Sequence, residues 1–222
     1  MISFFFFNSL STEQDGIFKK VFNDKIIMID VSGSSKQYIN GSKQLTKPEY
    51  AIYPWDKVYD WCSNCGNSND DHPWISFSVK AKKIKFNGYF IRCGCCYYDL
   101  CCCEDEQRRC FECCLYSWSL QISDDNKTWK EVHKMKDEGM RRCNEKTYKL
   151  DQTYEARYVR LIQNENCPGE PPCIAINKFE LYGSLVGDDG RYDDDNFVSF
   201  HDDDDDVSII GHISKNGNVK LE

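Results

Sequence analysis

An all-β sandwich or barrel is the fold class this sequence predicts, and three observations predict it. Short aromatic and β-branched runs recur through residues 26–182, turn-forming residues separate them, and almost no stretch carries a helical period. Composition agrees: with 41% hydrophobic residues, 13 Tyr, 13 Phe and 5 Trp, the 222-residue chain has material for a core and for pleated strands.

The first element is the exception to the β pattern. Residues 12–22 space Ile17, Phe18, Val21 and Phe22 as one face of a short helix, with Ser11 or Thr12 as its cap. Residues 1–25 are therefore expected to form an N-terminal segment with this helix. Strands are expected at 26–31, 74–79, 84–93, 116–123, 129–133, 147–150, 157–163 and 174–182. In Trp118-Ser119-Leu120-Gln121-Ile122-Ser123, alternation sends Trp118, Leu120 and Ile122 to one face. Turn chemistry lies between the runs, as in Ser123-Asp124-Asp125-Asn126-Lys127 and Asn166-Cys167-Pro168-Gly169.

The last segment, 185–222, differs in character. It holds eleven acidic residues against Arg191, Lys215 and Lys220, so the net charge of −8 resides entirely there. Such a run repels itself and buries little apolar surface, which predicts an acidic tail; Lys215-Asn216-Gly217 marks a hairpin turn within it. The balanced remainder lacks the basic excess of a nucleic-acid binder. No apolar run is long enough for a transmembrane helix.

Compartment is read from the N-terminus and the cysteines. Met1-Ile2-Ser3-Phe4-Phe5-Phe6-Phe7-Asn8 has no basic residue before its apolar run and no small-residue cleavage site after it. That argues against a signal peptide and for a reducing, cytoplasmic location, with secretion as the alternative. The 14 Cys are then expected as thiols or metal ligands.

The strand sequences carry a resemblance. Tyr116-Ser117-Trp118-Ser119-Leu120-Gln121-Ile122-Ser123-Asp124-Asp125-Asn126-Lys127-Thr128-Trp129 resembles the strand, turn and Trp motif of coagulation factor V/VIII type C (discoidin-like) domains. Pro73-Trp74-Ile75-Ser76-Phe77, Gly88-Tyr89-Phe90-Ile91-Arg92, Arg157-Tyr158-Val159-Arg160-Leu161-Ile162-Gln163 and the closing 173–183 fit the same pattern in the same order. The ordered set spans residues 26–184 and is most similar to the intracellular-type versions of protozoa. It implies a jelly-roll β-sandwich of the galactose-binding-like type. It also implies that Trp74, Trp118, Trp129 and Phe179 are core residues, Trp61 packs inward, and Arg160 is a framework arginine. Two departures stand out. The disulfide that commonly ties the ends of secreted members is missing, since no Cys precedes Cys62 or follows Cys173. The loop 93–114 is enlarged and holds nine Cys.

Two kinds of site follow. Family members bind through loops at one end of the sandwich, here 31–48, 54–72 and the Cys-rich loop. Within them Tyr38, Trp55 and Asp56 combine aromatic faces for a sugar ring or apolar side chain with a carboxylate that accepts hydroxyl hydrogen bonds. The expected function is a non-catalytic recognition module for a protein or carbohydrate ligand, with phospholipid disfavoured for want of a basic rim. The alternative is a Cys-rich metal-binding or redox-sensing protein with the sandwich as scaffold. Cys62, Cys65, Cys110 and Cys113 form two pairs at the two-residue spacing that suits a structural Zn²⁺. Calcium is disfavoured, because Asp202–206 lacks the Gly and terminal Glu of an EF-hand loop. No catalytic motif is present: His72, His133, His201 and His212 make no helical ligand pair, and neither a nucleophile elbow nor a phosphate loop occurs.

Overall fold

The structure, a computed structural model, describes residues 15–66, 68, 70–96, 104–105, 108–109 and 114–187. A helix α1 (Ile17–Val21) and a 3-10 turn (Phe22–Asp24) open it. The strands are β1 (Ile27–Val31), β2 (Lys36–Ile39), β3 (Ser42–Leu45), β4 (Trp61–Cys62), β5 (Trp74–Val79), β6 (Lys82–Cys93), β7 (Glu104–Asp105), β8 (Arg108–Arg109), β9 (Ser117–Ser123), β10 (Lys130–Lys136), β11 (Glu145–Ala156), β12 (Tyr158–Glu165) and β13 (Ala175–Gly187). A second 3-10 helix, Pro48–Ile52, follows β3.

Nine of these strands form two antiparallel layers. The first runs β10-β9-β12-β5-β1 and the second β11-β6-β13-β4, joined through the tight β5–β6 turn at Val79 and Lys82. This is the jelly-roll β-sandwich expected. All eight predicted strands are present, with β11 and β13 longer than their apolar runs suggest. The predicted helix is shorter: α1 starts at Ile17, and residues 12–14 lie outside the described ones. The tail hairpin also lies outside the described residues.

Alternation delivers the core. Ile75, Phe77 and Val79 of β5 face Phe179 and Leu181 of β13, with Phe77 stacked on Phe179 at a centroid distance of 4.9 Å. Phe18 of α1 packs on both rings. Fully burying such a side chain is worth about 1.5–3 kcal/mol, which explains why five helical residues hold without a side-chain cap. Their first amides are met from the sheet instead: Phe18 N and Lys19 N donate to the Glu180 carboxylate at 2.7 and 2.9 Å. Deeper in the sandwich, Trp118 Nε1 donates to the Tyr89 hydroxyl, which lies 2.8 Å from His133 Nδ1. Burial lowers the His133 pKa, so the ring stays neutral and can accept that hydrogen bond.

Two expected core residues are placed otherwise. Trp118, Phe179 and Trp61 are buried, but Trp74 and Trp129 are only half-buried and bracket Arg160, its guanidinium 4.0 Å from the Trp129 ring and 5.7 Å from Trp74. The reason is register. Trp74 shares its strand face with Ser76 and Ser78, the outer face, where Arg160 sits opposite Ser76. Arg160 donates from Nε and Nη2 to Gln121 Oε1 on β9, so its partners are one amide and two indoles.

The registers also sort the loops. β1, β6, β10 and β12 end, and β5, β9, β11 and β13 begin, at one pole of the sandwich. The described residues of 32–60, 63–73, 94–116, 137–144 and 166–174 therefore gather there, and at the other pole the described strands are joined by tight turns. One of these is built by Asp125, whose Oδ1 accepts from Ser123 Oγ, Lys127 N and Thr128 N. Those donors hold its carboxyl well below the usual carboxylate range.

Candidate functional site

The loop-rich pole is braced before it presents anything. Asp60, fully buried, accepts from Gln37 Nε2 on β2 (3.0 Å), Cys95 N at the mouth of the Cys-rich loop (2.8 Å) and Asn177 Nδ2 on β13 (3.0 Å). Its own amide donates to Gln37 Oε1, so one residue fastens three separate segments. Burial raises its pKa despite these bonds. Packing leaves no spare room here: a Cβ on Gly94 would lie 2.9 Å from the Asp60 Oδ2 and 2.7 Å from Ala175 Cβ.

Disulfides brace the same pole. Cys65 bonds Cys173, Cys96 bonds Cys143 and Cys114 bonds Cys167, at Cα separations of 4.6, 4.5 and 6.0 Å. They tie 63–73 to 166–174, and both flanks of the Cys-rich loop to neighbouring loops. Of the four Cys expected to hold zinc, only Cys62 and Cys65 are among the described residues. Cys65 is spent on Cys173, Cys62 is also disulfide-bonded, and Cys110 and Cys113 lie outside the described residues. Spacing alone cannot separate a thiolate pair from two half-cystines that point to different partners. Among the described residues no group of three or more His, Cys, Asp or Glu is arranged to hold a metal, and no helix is long and apolar enough to cross a membrane.

On this braced pole stands an aromatic cluster. Tyr50, in the middle of the second 3-10 helix, packs on Tyr53 and Tyr59, and Tyr53 packs on Trp55 at 4.6 Å; Phe22 meets Trp55 edge-on. Trp55 nevertheless keeps 49% of its surface exposed. A large aromatic held by neighbours on one side and open to solvent on the other is a stacking platform with little entropy left to lose. Lys57 lies over the Tyr53 and Tyr59 rings and donates to Asn177 O. Burial drives its pKa down to about 8, against the opposing pull of Asp60.

Beside Trp55, Asp56 pairs with Arg92 Nη1 at 2.9 Å, and Arg92 Nε pairs with Glu145 at 2.6 Å. The Arg92 guanidinium holds Asp56 below the usual carboxylate range. Glu145 in turn lines a cleft of about 360 Å³ with Asp137, Gly139, Met140, Cys143, Asn144 and Lys146. An exposed ring, a carboxylate–guanidinium–carboxylate row and a polar cleft thus follow one another along the pole.

The structure puts Trp55 and Asp56 together, while Tyr38 stands apart on the outer side of the β2–β3 hairpin, 44% exposed and paired in register with Lys43. Tyr53, Lys57, Arg92 and Glu145 were not singled out in the sequence. Arg92 is the penultimate residue of β6, paired on either side with Glu145 and Lys178, contacts across more than fifty residues that no local pattern carries.

Neither a protein-family model nor a curated protein matches the chain. Solved structures do. The Clostridium perfringens domain CpGH89CBM32-5, solved in complex with GalNAc-beta-1,3-galactose, superposes with a TM-score of 0.52 at 12% identity, covering 76% of this chain and 100% of that one. The family 32 CBM from C. perfringens NanJ, in complex with galactose, gives 0.47 at 11%, covering 75% and 96%. At such identity the likeness to the first of these shows the fold alone, a jelly-roll β-sandwich.

Proposed function

We propose that this chain is a non-catalytic carbohydrate-binding module whose ligand face is the loop-rich pole, with Trp55 as the stacking surface and Asp56, Arg92 and Glu145 as the hydroxyl-binding groups. The observation that carries the reading is Trp55 itself, half exposed yet packed from behind by Tyr53 and Phe22 and flanked by the Asp56–Arg92–Glu145 row. Sugar rings present an apolar face and a rim of hydroxyls, which these two features match. The fold's likeness to a domain solved with a disaccharide supports it. A protein ligand on the same pole is the second reading, carried by exposed Tyr38, Leu45 and Val58. The cystines among the described residues favour an oxidising compartment over the reducing one expected from the N-terminal sequence.

A glycan array probed with the full chain tests the proposal, followed by calorimetric titration of the strongest glycan. Binding that weakens tenfold or more in Trp55→Ala supports it. An array at background, or affinity indifferent to Trp55→Ala, overturns it.

A further inference from the structure

We propose that the pole opposite the ligand face is a docking surface for the chain's own acidic segment, residues 188–206. That pole is where β5 turns into β6, and the turn carries Lys80, Lys82, Lys83 and Lys85, with Lys25 brought alongside by the hydrogen bond from Lys80 N to Ile26 O. Lys25, Lys82, Lys83 and Lys85 enter none of the ion pairs formed among the described residues. The carboxylates at this pole are Glu155 opposite Lys85, Asp24 before Lys25, and Asp124 and Asp125 of the β9–β10 turn, where Asp124 accepts from Arg157 N and Asp125 from its own turn. Around the β5–β6 turn lysines therefore outnumber carboxylates, on a body (residues 1–184) whose charges balance only with these lysines counted in.

The occupant is set by connectivity. β13 runs along this edge of β6, pairing Ser184 with Lys85, Val186 with Lys83 and Gly187 with Lys82. The chain thus leaves the sandwich against the lysines, and the next nineteen residues hold ten Asp and one Arg. Asp188 and Asp189 follow Gly187 directly in the sequence. Asp193–195 lie six to eight residues on, a reach of roughly 20–28 Å when extended, while Lys82 to Lys85 spans roughly 10 Å of strand. Attachment makes the encounter intramolecular, so even weak surface pairs act together at high effective concentration. The lysine surface is accordingly occupied in the free protein, and other polyanions meet a competitor already in place.

Zero-length carbodiimide cross-linking of the full chain, with mass-spectrometric mapping of monomer bands, tests this. The expected result is Lys82, Lys83 or Lys85 joined to Asp within 188–206 at low salt. Because the Debye length falls to about 3 Å at 1 M salt, the yield should drop at least tenfold there. Replacing Lys82, Lys83 and Lys85 together by Glu should remove these links and leave no strong substitute, while Lys36→Glu with Lys47→Glu, at the other pole, should not change them. Tail links spread evenly over the body's lysines, links only between molecules, or yield unchanged at 1 M salt would overturn the proposal; the salt series on the unmodified chain decides even where the triple variant misfolds.

Discussion

Asp60→Ala is the sharpest probe of how the loop-rich pole is held. The substitution removes the acceptor of three buried donors, Gln37 Nε2, Cys95 N and Asn177 Nδ2. Each orphaned donor costs about 1–3 kcal/mol, partly offset because a buried carboxylate no longer has to be desolvated, so a net loss of about 3–5 kcal/mol is expected. Asp60→Asn keeps one oxygen. Oriented toward Gln37 and Cys95 it preserves two of the bonds and turns its amide toward Asn177, for a loss of about 1–2 kcal/mol. Urea unfolding with the disulfides intact measures both. The pH dependence has a definite sign. Burial raises the folded-state pKa of Asp60 above its unfolded value. Its contribution is therefore full below about pH 3.9 and is lost as pH rises through the raised value, a slope that Asp60→Asn should abolish. If Asp60→Ala costs less than about 1 kcal/mol, or as little as Asp60→Asn, the hub argument fails.

Other outcomes follow from the same geometry. Replacing Cys96 and Cys143 together by Ser opens a span of 47 residues, and the chain-entropy estimate is about 4 kcal/mol, readable as a shift in urea midpoint. Lys57, with a folded-state pKa of about 8, binds fewer protons than in the unfolded chain between pH 8 and its ordinary value. Stability should rise over that interval in the parent chain, and Lys57→Met should flatten the rise. Gly16→Ala would set a Cβ 1.8 Å from Glu180 Cγ. Displacing that carboxylate from Phe18 N and Lys19 N should lower stability by about 2–3 kcal/mol in a thermal melt, whereas Asp15→Ala, at an exposed position next to it, should have little effect.

What was legible in the sequence is what local pattern encodes. The period-two runs placed eight strands because half-buried strands must alternate. The β2–β3 hairpin escaped notice because Lys36-Gln37-Tyr38-Ile39 is largely polar, although Asn40-Gly41 between the strands is a hairpin signal. Asn40 has φ 51° and Gly41 φ 80°, the left-handed pair a tight turn needs. Trp61–Cys62 is too short for any periodicity to register. Trp74 illustrates a subtler limit. Its face was decided by Ser76 and Ser78, and a reading that weighed the strand's other members would have set it outward with Arg160. Trp55 and Asp56 were legible as residue types, but Arg92 and Glu145 reach them only through strand pairing.

The placement of Gly187 gives the molecule a direction. The described chain enters the sheet along α1, gathers its long loops at one pole, and ends its last strand at the other. Anything covalently continued past that point starts on the far side from Trp55, so an attached neighbour and a bound ligand need not compete for space. The body is built like a plug with its contact at one end and its lead at the other.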